Sequence, residues 1–128
     1  MTIRPDYTIH GDRRHYGWNN ALPPALTVAP GDTVTIDVPD ASGGQLSTQS
    51  HAGSIAELDF EAVNPVTGPI YVDGAEPGDA LKITLLHAEP SGWGWTAIKP
   101  GFGLLADDFP DPDHNIWRST PEIGAIAE

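Results

Sequence analysis

The sequence predicts a mainly β protein, an antiparallel two-layer architecture of short strands joined by Pro and Gly turns with at most one short helix. Three observations carry that expectation. Apolar and polar residues alternate in TVTIDV (33–38) and again through Leu81, Ile83 and Leu85, the period of a half-buried strand. Glycine and proline, 14 and 13 of the 128 residues, interrupt the chain too often for long helices. No strand–helix–strand rhythm calls for a parallel sheet.

In chain order, a polar arm with Tyr7 and Ile9 permits a short edge strand and carries His10 and His15. HYGWNNALPPAL then reads as a loop entering a constrained extended segment, since Pro23 and Pro24 bias the residues before them away from helix. Pro30, Gly31 and Asp32 form a turn into TVTIDV. After Pro39, the polar stretch DASGGQLSTQSHAGS (40–54) is too long for a hairpin connection and reads as a flexible, functional loop. Ser54 is placed to cap a helix IAELDFEAV, with Glu57 completing a capping box.

The echo of VAPGDTVTIDV (28–38) in AEPGDALKITL (75–85) superposes Pro30 on Pro77, Gly31 on Gly78 and Asp32 on Asp79. A single echo favours one turn solution used twice over a duplicated motif. The second copy should place Leu81, Ile83 and Leu85 on one sheet face, with IYV (70–72) as a neighbouring strand. A glycine and tryptophan loop follows, with Gly92, Gly94, Gly101 and Gly103 among Trp93, Trp95 and Phe102, and it ends in Asp107, Asp108, Asp111 and Asp113. Such a loop either lines a site or fills a small core.

Composition narrows the partners. Six basic against 18 acidic residues give a formal net charge of −12, and only Arg13 and Arg14 are adjacent, so nucleic acid and anionic membrane are unsuitable. Cysteine is absent, which excludes disulfides, thiolate zinc sites, a cysteine nucleophile and a blue-copper centre. No apolar run reaches the ~18 residues of a membrane span, and the first residues lack a secretory apolar segment, so one cytoplasmic domain over residues 1–128 is expected.

VNPVTGPIYVDGAEPGDALKIT (63–84) and WGWTAIKPGFGLLADDFPDP (93–112), with HYGWNN, PGDTVTIDV and DASGGQ, resemble the acetamidase/formamidase family over most of the chain. The resemblance implies a jelly-roll-like β-sandwich and hydrolysis of small linear amides to ammonia, often described as metal-dependent. Members of that family are considerably longer. It therefore implies a partner, either a complementary polypeptide or further copies of the chain, with the final TPEIGAIAE as an orphan strand exposing Ile123 and Ile126.

Amide hydrolysis needs a nucleophile, oxyanion stabilisation and an acid for the leaving nitrogen. No G-x-S-x-G elbow is present, and Ser42 lacks a lysine partner at any telling spacing. A water activated by a divalent metal, zinc among the candidates, fits better, although no H-E-x-x-H or H-x-H occurs. Its candidate ligands are His15, Asp40 and His51. Asp40 and Gln45 are the leading catalytic candidates, one to hold a metal-bound water and one to orient the substrate amide; equally, Asp40 forms an Asx turn. Asp107, from the family's acidic pair, is a third catalytic candidate. Asn64, Trp93 and Trp95 are candidate substrate contacts, with turn and core roles as their alternatives. His10 and His114 read as surface histidines. The rival readings are a non-catalytic split-enzyme remnant and a calcium-dependent carbohydrate-binding sandwich whose tryptophans stack on sugars and whose ADDFPDPDHN supplies oxygen ligands.

Overall fold

In the computed structural model, which describes residues 4–118, those residues form eight short strands and one α-helix, with a 3₁₀ turn at Phe60–Ala62. The class is mainly β with one short helix, as expected. Contacts divide the chain into two units, one within Met1–Ala41 and Glu61–His87, the other within Ser42–Phe60 and Ala88–Glu128. The expected strand at TPEIGAIAE, with Ile123 and Ile126, lies outside the described residues.

The first unit is built from β1 (Tyr7–Ile9), β2 (Arg14–His15), β3 (Leu26–Val28), β4 (Val34–Ile36), β5 (Val66–Thr67) and β6 (Ile70–Val72). They pair two by two. β1 runs parallel to β4, with Ile9 opposite Ile36, and β3 runs parallel to β6, with Val28 opposite Val72. Only β2 and β5 pair antiparallel here. This corrects the expectation of purely antiparallel strands. The paired segments are not chain neighbours: β2 and β3 lie between β1 and β4, and β4, the single α-helix, the 3₁₀ turn and β5 lie between β3 and β6, so each parallel pair is joined by a long crossover. Flanking bonds extend the ladders, among them Ala25 N–H to the Pro69 carbonyl at 2.8 Å and Asp73 N–H to Val28 at 2.8 Å. Ile9 and Val28 are the buried apolar residues of this unit.

The repeated turn is real and is made the same way twice. Asp32 closes the first copy, its N–H reaching the Ala29 carbonyl at 3.2 Å and its Oδ2 accepting from Ala29 N–H at 2.7 Å. Asp79 closes the second, with the Glu76 carbonyl at 3.0 Å and Glu76 N–H at 2.9 Å. Gly31 and Gly78 sit at φ 97 and 107, which asks for glycine because the space around both is open and only the backbone angle is selective. The first turn delivers the chain to β4. The second delivers it to no ladder: residues 80–90 form no strand, and Leu81, Ile83 and Leu85 are exposed. The alternation there was read correctly as a pattern, but among the described residues no strand lies beside it.

The second unit joins β7 (Trp93–Ile98) and β8 (Asp113–Arg118) in a six-pair antiparallel ladder, and carries α1 (Ala52–Ala56). Trp93–Ile98 is therefore a strand where a loop was expected. Its aromatic residues alternate with small ones, so Trp93, Trp95 and Ala97 share a face with Arg118, Ile116 and His114 directly opposite. Trp93 and Trp95 pack from that face on Leu46, Ile55 and Leu58, the core of the unit.

The helix starts earlier than expected and ends sooner. His51, extended at φ −134, is its N-cap, and its N–H donates back to Ser54 Oγ at 3.3 Å while Ser54 N–H donates to the His51 carbonyl at 2.8 Å. Ser54 thus answers the cap from the third helical position instead of being it, and Glu57 falls at the C-cap. Lys99 receives the helix end, its Nζ donating to the carbonyls of Ala56 at 3.0 Å and Ile55 at 3.4 Å while lying 5.1 Å from the Phe60 ring centroid.

Ile55, only 1% exposed, fills the centre of this core, so Ile55→Ala should lower stability by about 2–5 kcal/mol in urea unfolding followed by tryptophan fluorescence. Leu81→Ala, at an exposed position, should change it by less than about 0.5 kcal/mol.

Candidate functional site

The polar stretch after Asp40 is not a loose loop, because its own side chains tie it down. Gln45 donates through Nε2 to the Ser42 carbonyl at 2.9 Å and to the Asp59 carbonyl at 3.0 Å, and accepts at Oε1 from Asp59 N–H at 2.8 Å. The amide thus imitates a strand partner for Asp59. Ser42 is fully buried, and its Oγ accepts from Leu46 N–H at 3.0 Å, which turns Leu46 into the core. Further on, Ser50 Oγ accepts from Ser47 N–H at 2.9 Å and Ser47 Oγ from Gln49 N–H at 3.2 Å.

This geometry bears on the expected roles. Both N–H groups of Gln45 are committed to backbone carbonyls, so a substrate would find only spare acceptor capacity on Oε1. Asp40 is half-buried and engaged, and falls within the first unit, whereas Gln45 falls within the second. Asn64 occupies the left-handed region at φ 53 and donates its N–H to the Ala41 carbonyl at 2.7 Å. That is the turn role, which asparagine fills at little cost. Trp93 and Trp95 cover the core. Asp107 is exposed within a turn in which Asp108 and Phe109 N–H both reach the Leu105 carbonyl, at 3.1 and 3.0 Å.

The candidate metal ligands are spread out. His15 Nδ1 donates to the Gly17 carbonyl at 2.8 Å and its ring meets Trp18 edge-on, which leaves Nε2 as the atom available to a ligand. The His51 ring folds over Gly53, where an added Cβ would lie 2.9 Å from Cε1. Among the described residues no three His, Asp or Glu side chains gather as a metal-holding set, so His15, Asp40 and His51 do not by themselves supply one.

Two features escaped the sequence reading. His114, read as a surface histidine, is half-buried on the tryptophan face of β8, and its Nδ1 is enclosed without a hydrogen-bond partner. Its alternation with Ile116 was the available signal. A concavity of about 240 Å³ is lined by Asn19, Asn20, Leu22, Pro24, Pro69, Ile70 and Tyr71, all in the first unit. Asn19 Oδ1 accepts from Ala21 N–H at 2.9 Å. The Asn pair in HYGWNN announced this place only as part of a family block.

The fold is similar to that of β-rich amidases. Acetamidase from Bacillus halodurans superposes with a TM-score of 0.77 and 27% identity, covering 87% of this chain and 37% of that one. The chain belongs to the Acetamidase/Formamidase family, whose profile matches residues 4–124. Formamidase from Methylophilus methylotrophus is 34% identical over an alignment 109 residues long that covers 80% of this chain and 27% of that protein. Acetamidase from Mycolicibacterium smegmatis is 33% identical over an alignment 116 residues long that covers 80% of this chain and 29% of that protein. The chain thus spans less than a third of the length of the curated relatives it matches.

Replacing Gln45 by Ala removes three hydrogen bonds, two of them to the Asp59 backbone; a loss of about 1–3 kcal/mol in chemical unfolding is expected. Asn64→Gly should leave stability nearly unchanged, while Asn64→Ala should cost about 1–2 kcal/mol through its left-handed backbone. Equal stabilities for the two Asn64 variants would show that this turn relaxes.

Proposed function

We propose that this chain is part of an enzyme that hydrolyses small linear amides, formamide and acetamide among them, to a carboxylate and ammonia. The observation that supports it is the family match over residues 4–124, which includes both ordered blocks. The working unit is completed by further polypeptide or by copies of the chain, because the matched relatives carry much more length. A cytoplasmic setting suits small neutral substrates, and no helix among the described residues is long and apolar enough to cross a membrane.

Water is the attacking group in this reading. No cysteine exists, and Ser42 is buried with its Oγ accepting a backbone hydrogen bond. Asp40 and Asp107 are the carboxylates assigned to proton transfer or to holding a cation. A divalent ion would polarise the amide carbonyl and acidify water, but its ligand set needs groups beyond His15, Asp40 and His51. The Asn19 and Asn20 concavity offers a small amide both apolar walls and amide hydrogen-bonding groups. Of the tryptophans that the carbohydrate-binding reading would use, Trp93 and Trp95 pack on the core, while Trp18 is exposed.

Ammonia release from formamide and acetamide, measured on the completed assembly with and without divalent metal, tests this. No release under either condition would remove the proposal. In an active assembly Asp40→Ala should lower turnover at least about 100-fold with the circular dichroism spectrum unchanged, the usual scale for loss of a metal ligand or its support. Full turnover in that variant at saturating metal would reduce Asp40 to a turn residue.

A further inference from the structure

We propose that the peptide bond between Lys82 and Ile83 is a proteolytic processing site, taken by an endoprotease that selects a basic residue on the acyl side, and that the second unit stays assembled across the cut.

The chain offers few bonds of this kind, and the fold guards the others that are described. Arg4 and Lys99 each precede a proline, Pro5 and Pro100, whose ring fixes the backbone and removes the N–H that such an enzyme would engage. Lys99 is occupied as well, its Nζ donating to the Ala56 and Ile55 carbonyls. Arg13 and Arg14 sit at a ladder: the Arg13 carbonyl accepts from Gly68 N–H at 2.9 Å, and Arg14 in β2 lies opposite Thr67 in β5. Arg118 ends β8 opposite Trp93, and the bond after it leads to Ser119, outside the described residues.

Lys82 differs on each count. Residues 80–90 belong to no strand or helix and form no hydrogen bond among the described residues. Lys82 is exposed, and so are Leu81 and Ile83 on either side of it, Ile83 to 88%. A protease must draw several residues around the scissile bond out of any ladder before it cuts, so cleavage follows the free energy of local opening. Here no ladder has to open. Water adds across the bond, leaving a carboxylate on Lys82 and a free amino group on Ile83.

The cut falls in the connection between the two stretches that make the second unit, Ser42–Phe60 and Ala88–Glu128. Contacts within that unit join the products 1–82 and 83–128 without the peptide bond. Trp93 and Trp95 of the later product pack on Leu46, Ile55 and Leu58 of the earlier one. Lys99 bonds to the end of α1, and the Phe102 ring meets the Phe60 ring edge-on with centroids 5.1 Å apart. Nicking an exposed, unbonded connection removes none of these contacts.

Trypsin added at low ratio to the native 128-residue chain, followed over time by intact mass and peptide mapping, tests this. The first cut within residues 4–117 should fall after Lys82, at least about tenfold faster than after Arg13 or Arg14. The two products should elute together in size exclusion and separate in urea. Lys82→Gln, at an exposed position, should abolish this cut and leave the urea unfolding curve unchanged. A first cut elsewhere within 4–117, or a Lys82–Ile83 bond that survives as long as the Arg13–Arg14 bond, would overturn the site. Products that come apart without denaturant would overturn the retained assembly.

Discussion

The constraint on which the structure depends is how little apolar surface the described residues bury. Ile9, Val28, Leu46, Ile55 and Leu58 are the buried hydrophobic residues among them. Burying one such side chain is worth about 1.5–3 kcal/mol, so five of them hold only a small reserve against chain entropy. Side chains bonded to backbone make up the shape elsewhere. Gln45 holds Asp59, Ser42 directs Leu46 inward, Asp32 and Asp79 close their turns, and Lys99 satisfies the end of α1. Each of these polar groups meets a backbone partner that would otherwise need water.

What the sequence made legible follows from the range of the physics involved. The two PGD turns, β4 and β6 were readable because a turn and a short alternating run are decided by neighbouring residues. The helix was found but set too late, since Ser54 bonds back to His51 and the true cap is a residue rarely chosen for that place. Trp93–Ile98 was mistaken for a loop because its glycines and aromatics are ambiguous until β8 supplies the opposite row. The parallel pairings of β1 with β4 and β3 with β6 were not readable at all. They depend on partners far apart in the chain, and no local residue marks direction.

The site divides in the same way. Gln45, Asn64 and the tryptophans were singled out for chemistry, and their contacts turn out to be structural ones: a clamp, a left-handed turn and a core lid. Residue type and family wording marked these segments without distinguishing a side chain that builds the frame from one that meets substrate. His15, Asp40 and His51 were proposed together although nothing in their spacing tied them to one place, and the described residues gather no set of three.

The twin turns also set an order of events during folding. Each is closed by an aspartate three residues from its partner, and loops of that size close within about 0.1 μs, long before a core exists. The β1 to β4 and β3 to β6 pairings must wait for much longer stretches to meet, and so come late. The chain therefore has its corners before its ladders. The second corner closes as readily as the first, yet no ladder follows it among the described residues, so a local turn forms there without committing the chain after it to a strand.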